Sequence, residues 1–563
     1  MWTRVSWLYI LLSFFSFFII GNAFSHSREI VADVIIANAQ ILQKNESFAK
    51  AIAIKDQKIL AIGSNASIDK YAGPKTQKIN ANRQLIIPGL IDSHMHAIRA
   101  GLSYTSEVSW IGVKTIAQAL DRIRVAAKQE PIGSWIIVAG GWVPEQFQDG
   151  IIPSQEQLLQ AAGDHPLYIQ KLYSSVFISP GGLEELGIAS NAELLSRLEA
   201  LTDKNGNATG WMNGNARTIS DLFDFLPNTT QDSQYESTKN FFLELNRLGI
   251  TGVYDPGGYN FPLASYKSLW KLQSKRALSI RVAYSLSAPN RGSELSDFQK
   301  MSQIIPKNDE FLQWNGIGEN VTWGMYNNES PTASDQQQLL EVLEWAAKEK
   351  ITVTLHWNNN ESIPKLLNVV EKVRTNYSIK DLRWSIAHIN NLDESNLHRM
   401  KENDLGWLVQ NALYFQASNF KEKYGLEALR VSPRLRQAIR SDIPIGLGTD
   451  AHRVMDFNPF VAIEWLISGK SIDGLVARDR AQLLTRFEAI SLYTKGSAYF
   501  LPDAPLRGEL SVGKYADLAI LNQNIFTVPI NQIHKTHSVL TIVGGKVVFN
   551  SGRLITNQKK SAH

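Results

Sequence analysis

The sequence predicts an α/β fold: a (β/α)8 TIM-type barrel, a small β-sandwich formed from both termini, and an inserted α/β subdomain after the first barrel strand. Three observations lead there. Eight short apolar runs alternate with longer helical stretches through the middle of the chain. Both ends are rich in short strand patterns broken by turns. The gap between the first and second runs is far too long for one helix.

Taken in order, residues 1–25 read as a secretory signal peptide. Arg4 supplies the positive charge, Trp7 to Ile20 is a charge-free apolar run, and Gly21 and Ala23 fit the small-residue pattern for cleavage after Ala23. The run is short for a full membrane span, which favours cleavage over anchoring. A periplasmic or secreted chain is therefore expected, with membrane contact only through an uncleaved leader. Residues 26–86 hold "IVADVIIANAQIL" and "FAKAIAIKDQKILAIG", read as strands of the N-terminal part of the sandwich. The barrel is expected over 87–505. Its runs are "LIIPGLIDSHMH", "ITGVYDPGG", "LSIRVAYSLSA", "WNGIGENVTW", "ITVTLHWNN", "LRWSIAHINN", "GWLVQNALYF" and "IPIGLGTDAH". Pro88-Gly89 marks the passage from sandwich to barrel. The inserted subdomain takes up about residues 100–245, with strands of its own in "SWIIVAGGW" and "PLYIQKLY". Residues 506–563, with "GKYADLAILNQNIF" and "SVLTIVGGKVVFNSG", complete the sandwich.

Composition narrows the function. A net charge of +4 over 563 residues, with no Lys/Arg run, gives no case for nucleic acid. The absence of cysteine excludes disulfides, thiolate metal sites and a cysteine nucleophile. The 11 histidines are unevenly placed, and the ends of the runs hold the informative ones. Run one ends in His94 and His96, run four in Glu319, run five in His356, run six in His388 and run eight in Asp450. Strand ends of a parallel barrel share one face, and residues two apart on a strand share a side. Four imidazoles and carboxylates would then converge, a donor set suited to zinc and similar divalent ions. Asp92 lies deeper in its strand and reads as a structural partner.

These motifs resemble the amidohydrolase superfamily, and within it amidohydrolase family 3, the YtcJ-like group. "PGLIDSHMH" is similar to the first-strand signature, "LGITGVYDPGG" to the second-strand element and "GWMNGNA" to a motif of the insertion. "LGTDAHRVMDFNPFVAIEWLISGK" resembles the eighth-strand segment, and "YTKGSAYFL" with "GELSVGKYADLAILN" the return to the sandwich. The resemblance implies metal ligands His94, His96, His356 and His388, with Asp450 as acid/base and metal contact. His388 is expected to orient the substrate carbonyl or hold metal. His452 and Arg453, just past the acid, are candidates for an anionic group of the substrate, or else form a salt bridge. The implied chemistry is hydrolysis of a non-peptide C–N bond, in an amide, N-acyl or N-formyl small molecule, with one or two ions, zinc preferred. The same apparatus serves an ester or a cyclic amide, and a binding or regulatory relative without turnover is the alternative outside enzymes.

Three departures from the family pattern stand out. Run four lacks the lysine that many relatives carboxylate to bridge two metals, and Glu319 is the proposed replacement. Ser174 and Ser175 occupy the place of a "GH" pair in the insertion. "LHWNNNES" replaces a Gly-Asp pair after the fifth-run histidine, putting Trp357 and Asn358 beside the pocket, with Trp357 a candidate substrate contact. The other strand-end aromatics, Trp110, Trp142 and Trp323, are expected mainly in core packing. Oligomeric state is not legible.

Overall fold

The computed structural model describes residues 30–554 apart from 149, 203–204, 206–207, 228, 260 and 327–328. The proposed signal peptide lies outside the described residues.

Each of the eight apolar runs contributes a strand: β1 (Leu90–Asp92), β2 (Ile250–Asp255), β3 (Arg281–Leu286), β4 (Leu312–Ile317), β5 (Thr354–Trp357), β6 (Ser385–His388), β7 (Gly406–Gln410) and β8 (Ile445–Gly448). They form two four-stranded parallel sheets, β1-β2-β3-β4 and β5-β6-β7-β8, in chain order. A parallel bridge, Ile317 to Val353, joins β4 to the segment entering β5. On the other side Ser93 N donates to Leu447 O at 3.1 Å, and Asp450 N to His94 O at 2.7 Å. The ladders are not continuous across these two seams, so the hydrogen bonding is that of two linked sheets rather than a closed barrel. β2, β3 and β7 are buried along their whole length, as expected of parallel strands covered on both faces.

The covering helices form for local reasons. Ala333–Lys348 starts at a Thr332/Asp335 capping box and buries Leu339, Val342, Leu343 and Ala346, one stripe at helical spacing. Ile363–Asn376 repeats the pattern with Leu366, Leu367 and Val370.

Strands from the two ends of the chain pair with one another. Lys58–Gly63, Ala51–Lys55, Val34–Ala37 and Gln77–Asn80 form one sheet. In the other, Leu85–Pro88 pairs antiparallel with Leu518–Leu521 from the far end of the chain. Ile36, Ile52, Ile86, Leu518 and Ile542 share one apolar core between them. The run "LIIPGLIDSHMH" is therefore two strands in two different sheets, divided at Gly89. A Cβ on Gly89 would lie 2.1 Å from Thr251 Oγ1, so only glycine lets the chain cross there. Arg281, at the start of β3, clasps Asp517 of the terminal segment at 2.8 and 3.2 Å. Removing one partner of such a buried pair costs about 3–5 kcal/mol.

Between β1 and β2 the chain builds a five-stranded sheet: Glu199–Thr202, Ala208–Asn213, Ser175–Ile178, Leu167–Lys171 and Ile136–Val138. It has its own core of Trp110, Trp142, Leu158, Phe177 and Trp211. The helix Gln231–Arg247, though mostly within the span expected for the insertion, packs Phe241, Phe242 and Leu245 into the central core. Among the described residues no helix is long and apolar enough to cross a membrane.

Candidate metal centre

The C-terminal ends of β1, β4, β5, β6 and β8 converge on one point. Just past β1, His94 is fully buried and neither of its ring nitrogens has a hydrogen-bond partner. An unpartnered buried imidazole is costly unless something else takes its lone pair. Met95 turns into the core and His96 faces the cavity. His96 donates from Nδ1 to Gly257 O at 2.7 Å, which aims Nε2 inward, 3.0 Å from Asp450 Oδ1.

Asp92 clamps the two strand ends that carry these groups. It accepts from His94 N at 3.0 Å and from Thr449 Oγ1 at 2.7 Å. Burial pushes its carboxyl up to about 7, against the pull of those hydrogen bonds. Gly448 is required beside it, because a Cβ there would lie 2.6 Å from His94 N.

His388 and Asp450 both adopt left-handed backbone, with φ of 71° and 56°. Such conformations are strained for non-glycine residues and cluster at functional sites. Here they turn each side chain off its strand end into the cavity. His388 N is held by Gln410 Oε1 at 3.1 Å, and His388 O accepts from Trp407 Nε1 at 2.8 Å.

Glu319 lies at the centre. Its Oε2 is 2.8 Å from His356 Nδ1, 3.1 Å from His388 Nε2 and 3.5 Å from His94 Nε2. Its Oε1 is 3.6 Å from His96 Nε2. Two triads of potential ligand atoms result, His94/His96/Asp450 and His94/Glu319/His388, each with all atoms within 4.8 Å of one another. They share His94, and His356 joins the second through Glu319. The nitrogen and oxygen donors suit a divalent ion of the zinc type, and the orphaned His94 nitrogens mark where the lone pairs would be used.

The electrostatics follow from the packing. Burial alone would raise both acids. His356, through its charge and hydrogen bond, and the His388 hydrogen bond instead hold Glu319 well below the usual carboxylate range. His94 and His96, with Nε2 atoms 3.5 and 3.0 Å from Oδ1, do the same for Asp450. Burial lowers His94 and His356, favouring the neutral imidazole that ligates metal. Burial also opposes charge on His96, but the Asp450 hydrogen bond and charge push it up to about 9.

Three residues expected at the substrate lie elsewhere. Trp357 is 1 % exposed and belongs to the core. It follows His356 on β5, so strand alternation points the two apart. His452 and Arg453 turn toward the insertion, where His452 Nε2 meets Glu107 Oε2 at 2.7 Å and Arg453 Nη2 lies 3.8 Å from Oε1. The Arg453 guanidinium also covers the Phe223 ring at 3.5 Å. The salt-bridge reading of this pair is the one the geometry supports.

A cavity of about 770 Å3 opens over the cluster. Sequence reasoning missed several of its walls. Tyr326 stacks on His356 with ring centroids 4.4 Å apart. Asn358, by contrast, stands where its place after His356 put it, beside the pocket, with Nδ2 3.2 Å from His356 Nε2. Tyr173 of the insertion lines the cavity where Ser174 and Ser175 do not. Arg99 was findable, because it follows His96 by three positions at the start of the helix Ala97–Ser103. Tyr326 comes from a loop with no motif, while Tyr173 directly precedes the serine pair at the family's "GH" position.

Comparison with known proteins agrees with this geometry. The model of the amidohydrolase family matches residues 77–549. Protein LONG AFTER FAR-RED 3 of Arabidopsis thaliana is 25% identical over 551 residues, 92% of this chain and 92% of that protein. The putative amidohydrolase YtcJ of Bacillus subtilis is 21% identical, covering 89% of this chain and 96% of its own length. The N-substituted formamide deformylase of Arthrobacter pascens is 19% identical, covering 91% and 97%. Among solved structures, an uncharacterized metal-dependent hydrolase from Pyrococcus horikoshii superposes with a TM-score of 0.63 at 18% identity, over 88% of this chain and 99% of that one. The atrazine chlorohydrolase of Arthrobacter aurescens, complexed with zinc, gives 0.52 at 15% identity, over 92% and 95%. With most of its length matched by the family model and a buried histidine–carboxylate cluster at its strand ends, the chain belongs to the amidohydrolase family.

Proposed function

We propose that the chain is an exported, metal-dependent hydrolase of a non-peptide C–N bond in a small N-acyl or N-formyl compound. The observation that carries this reading is the pair of triads sharing His94, with Glu319 between them. The formamide deformylase relative supports the bond type, and the zinc-bound structural relative supports the metal. In this reading the two four-stranded sheets act as one (β/α)8 barrel over residues 87–505, with an insertion near 100–245. Residues 26–86 and 506–563 make the sandwich, and residues 1–25 direct export to the periplasm or medium.

His94, His96, His356, His388, Glu319 and Asp450 would hold one or two ions, with Glu319 in the bridging place of the family's lysine. An ion so held supplies Lewis-acid chemistry, lowering the pKa of water and polarising a carbonyl. The protein's own groups do the rest. Asp450, ionised and facing the cavity, accepts a proton from the attacking water and passes it to the leaving nitrogen. His388 Nδ1, 4.0 Å from Asp450 Oδ2, helps to orient the carbonyl. Asp92 and Thr449 keep β1 and β8 in register so that His94, His96 and Asp450 stay together. The test is a panel of N-formyl, N-acyl and ester substrates given to zinc-loaded protein, with Asp450→Asn beside it. Hydrolysis of amides that Asp450→Asn abolishes is expected. Activity surviving that substitution, or confined to esters, overturns the reading.

A further inference from the structure

The charges lining the cavity are lopsided. Among the described residues its acids are Glu319 and Asp450 alone, both engaged by histidines at the floor, while Arg99, Arg217, Arg291 and Lys423 line the walls and mouth. Among the described residues none of these four cations has a carboxylate oxygen within 4.0 Å. Elsewhere several enclosed guanidinium groups are paired, as with Arg281 on Asp517 and Arg453 on Glu107, while Arg478 is held by backbone carbonyls and faces no cavity of this kind.

Arg99 stands closest to the chemistry. A Cβ placed on Gly258 would lie 3.3 Å from both Arg99 Nη2 and His96 Cε1, so one residue separates the guanidinium from the metal cluster. Arg99 donates to Tyr259 O and, at 3.5 Å, to Tyr173 OH, and it sits 5.4 Å from the Phe261 ring centroid. These neutral partners position the fork without neutralising it, and two hydrogen bonds leave donors of the five unused. At the mouth Arg217 lies in the first turn of the helix Ala216–Asp224, whose positive end faces the same space. The motif "GWMNGNA" thus brings Asn215, and Arg217 just after it, to the cavity rim. The lining also includes an aromatic pair, Tyr259 edge-on to Trp323 at 5.0 Å.

We propose that the substrate carries a carboxylate besides its scissile amide, that Arg99 receives it, and that Arg217, Arg291 and Lys423 draw it in. An N-acylated amino acid with an aromatic side chain has this chemistry. The inference rests on the hydrolase reading above for its account of turnover, but its binding half stands without it. The mouth cations act at longer range, so their contribution falls as salt screens them, while Arg99 acts by contact.

The probes are N-acetylphenylalanine, in either enantiomer, and its primary amide, which lacks only the charge. Binding is measured by calorimetry in Asp450→Asn protein, so that turnover does not intervene, and kcat/KM in the zinc-loaded wild type. The acid is expected to bind at least about ten-fold more tightly than the amide, the scale of a charge-assisted hydrogen bond. Arg99→Gln should bring that preference close to one, and Arg99→Lys should keep part of it. Because Arg99→Gln can also perturb folding, the exposed triple variant Arg217→Gln/Arg291→Gln/Lys423→Gln is tested alongside. It should lower the acid's kcat/KM several-fold at low salt and flatten its salt dependence. Equal binding of acid and amide, no binding of either, or a preference untouched by Arg99→Gln overturns the inference. A preference for the acid without hydrolysis of any amide leaves the carboxylate-binding half standing and overturns the hydrolase reading together with the scissile amide.

Discussion

Residues 450–453 feed two clusters of buried charge that are built in opposite ways. Asp450 joins four histidines and Glu319 at the cavity floor, where His94 has both nitrogens unpartnered and donors outnumber the partners the protein supplies. His452 and Arg453 join Glu107 in a closed cluster, one bridge at 2.7 Å and a guanidinium capped by Phe223. Both contain histidine and carboxylate within a short stretch of chain. His452 Nδ1 and Arg453 Nε also lack hydrogen-bond partners, so satisfaction does not separate the two clusters. Placement does: the Asp450 cluster gathers metal-type donor atoms at the floor of a cavity, while Glu107, His452 and Arg453 lie outside its lining.

The comparison can be broken from either side. The largest effect is expected at Asp450: Asp450→Asn should cost about 10^3-fold or more in kcat, the scale of a lost general acid/base, with the melting temperature little changed. Steady-state kinetics beside thermal melting check it. Next, Glu319→Ala should lower both activity and bound metal, read by elemental analysis of the purified protein. Unchanged stoichiometry would remove Glu319 from the bridging place.

The closed cluster should respond in stability instead. Glu107→Gln leaves His452 and Arg453 buried without their carboxylate and should cost about 3–5 kcal/mol, measured by denaturant unfolding, while metal content stays the same. The pH dependence has a definite sign. Burial alone would raise the Glu107 carboxyl, but His452 and Arg453 hold it below its ordinary value of 4.5. A depressed folded value means that its stabilisation is fully present above about pH 4.5 and is lost as pH falls through the folded value. The wild type should therefore lose more stability on acidification than Glu107→Gln does.

How far the sequence revealed each cluster follows from geometry. The strand-end histidines, Glu319 and Asp450 were legible because period-two alternation and parallel strands fix where such side chains point. His452 and Arg453 were not, because nothing local tells which way the chain turns after Asp450, and their partner Glu107 comes from the region of the insertion. Trp357 was misplaced for a reason the sequence did contain, since it follows His356 on a strand and must face away. The strand set of the central fold was readable from its apolar runs. The division of the first run at Gly89 was not, because it depends on the close approach of Thr251.

The smallest effect is expected at the clamp beneath the metal cluster. Thr449→Val removes the 2.7 Å bond to Asp92 and should cost about 1.5 kcal/mol in stability, with a modest fall in metal affinity as β1 and β8 loosen.

The central claim is that the cluster around His94 is a metal centre. The most direct measurement is a zinc titration of chelator-treated protein, wild type beside His94→Ala, since His94 belongs to both triads. Tight binding of at least one equivalent by the wild type, and its loss in His94→Ala, are expected. Binding that is absent from the wild type, or unchanged in His94→Ala, would contradict it.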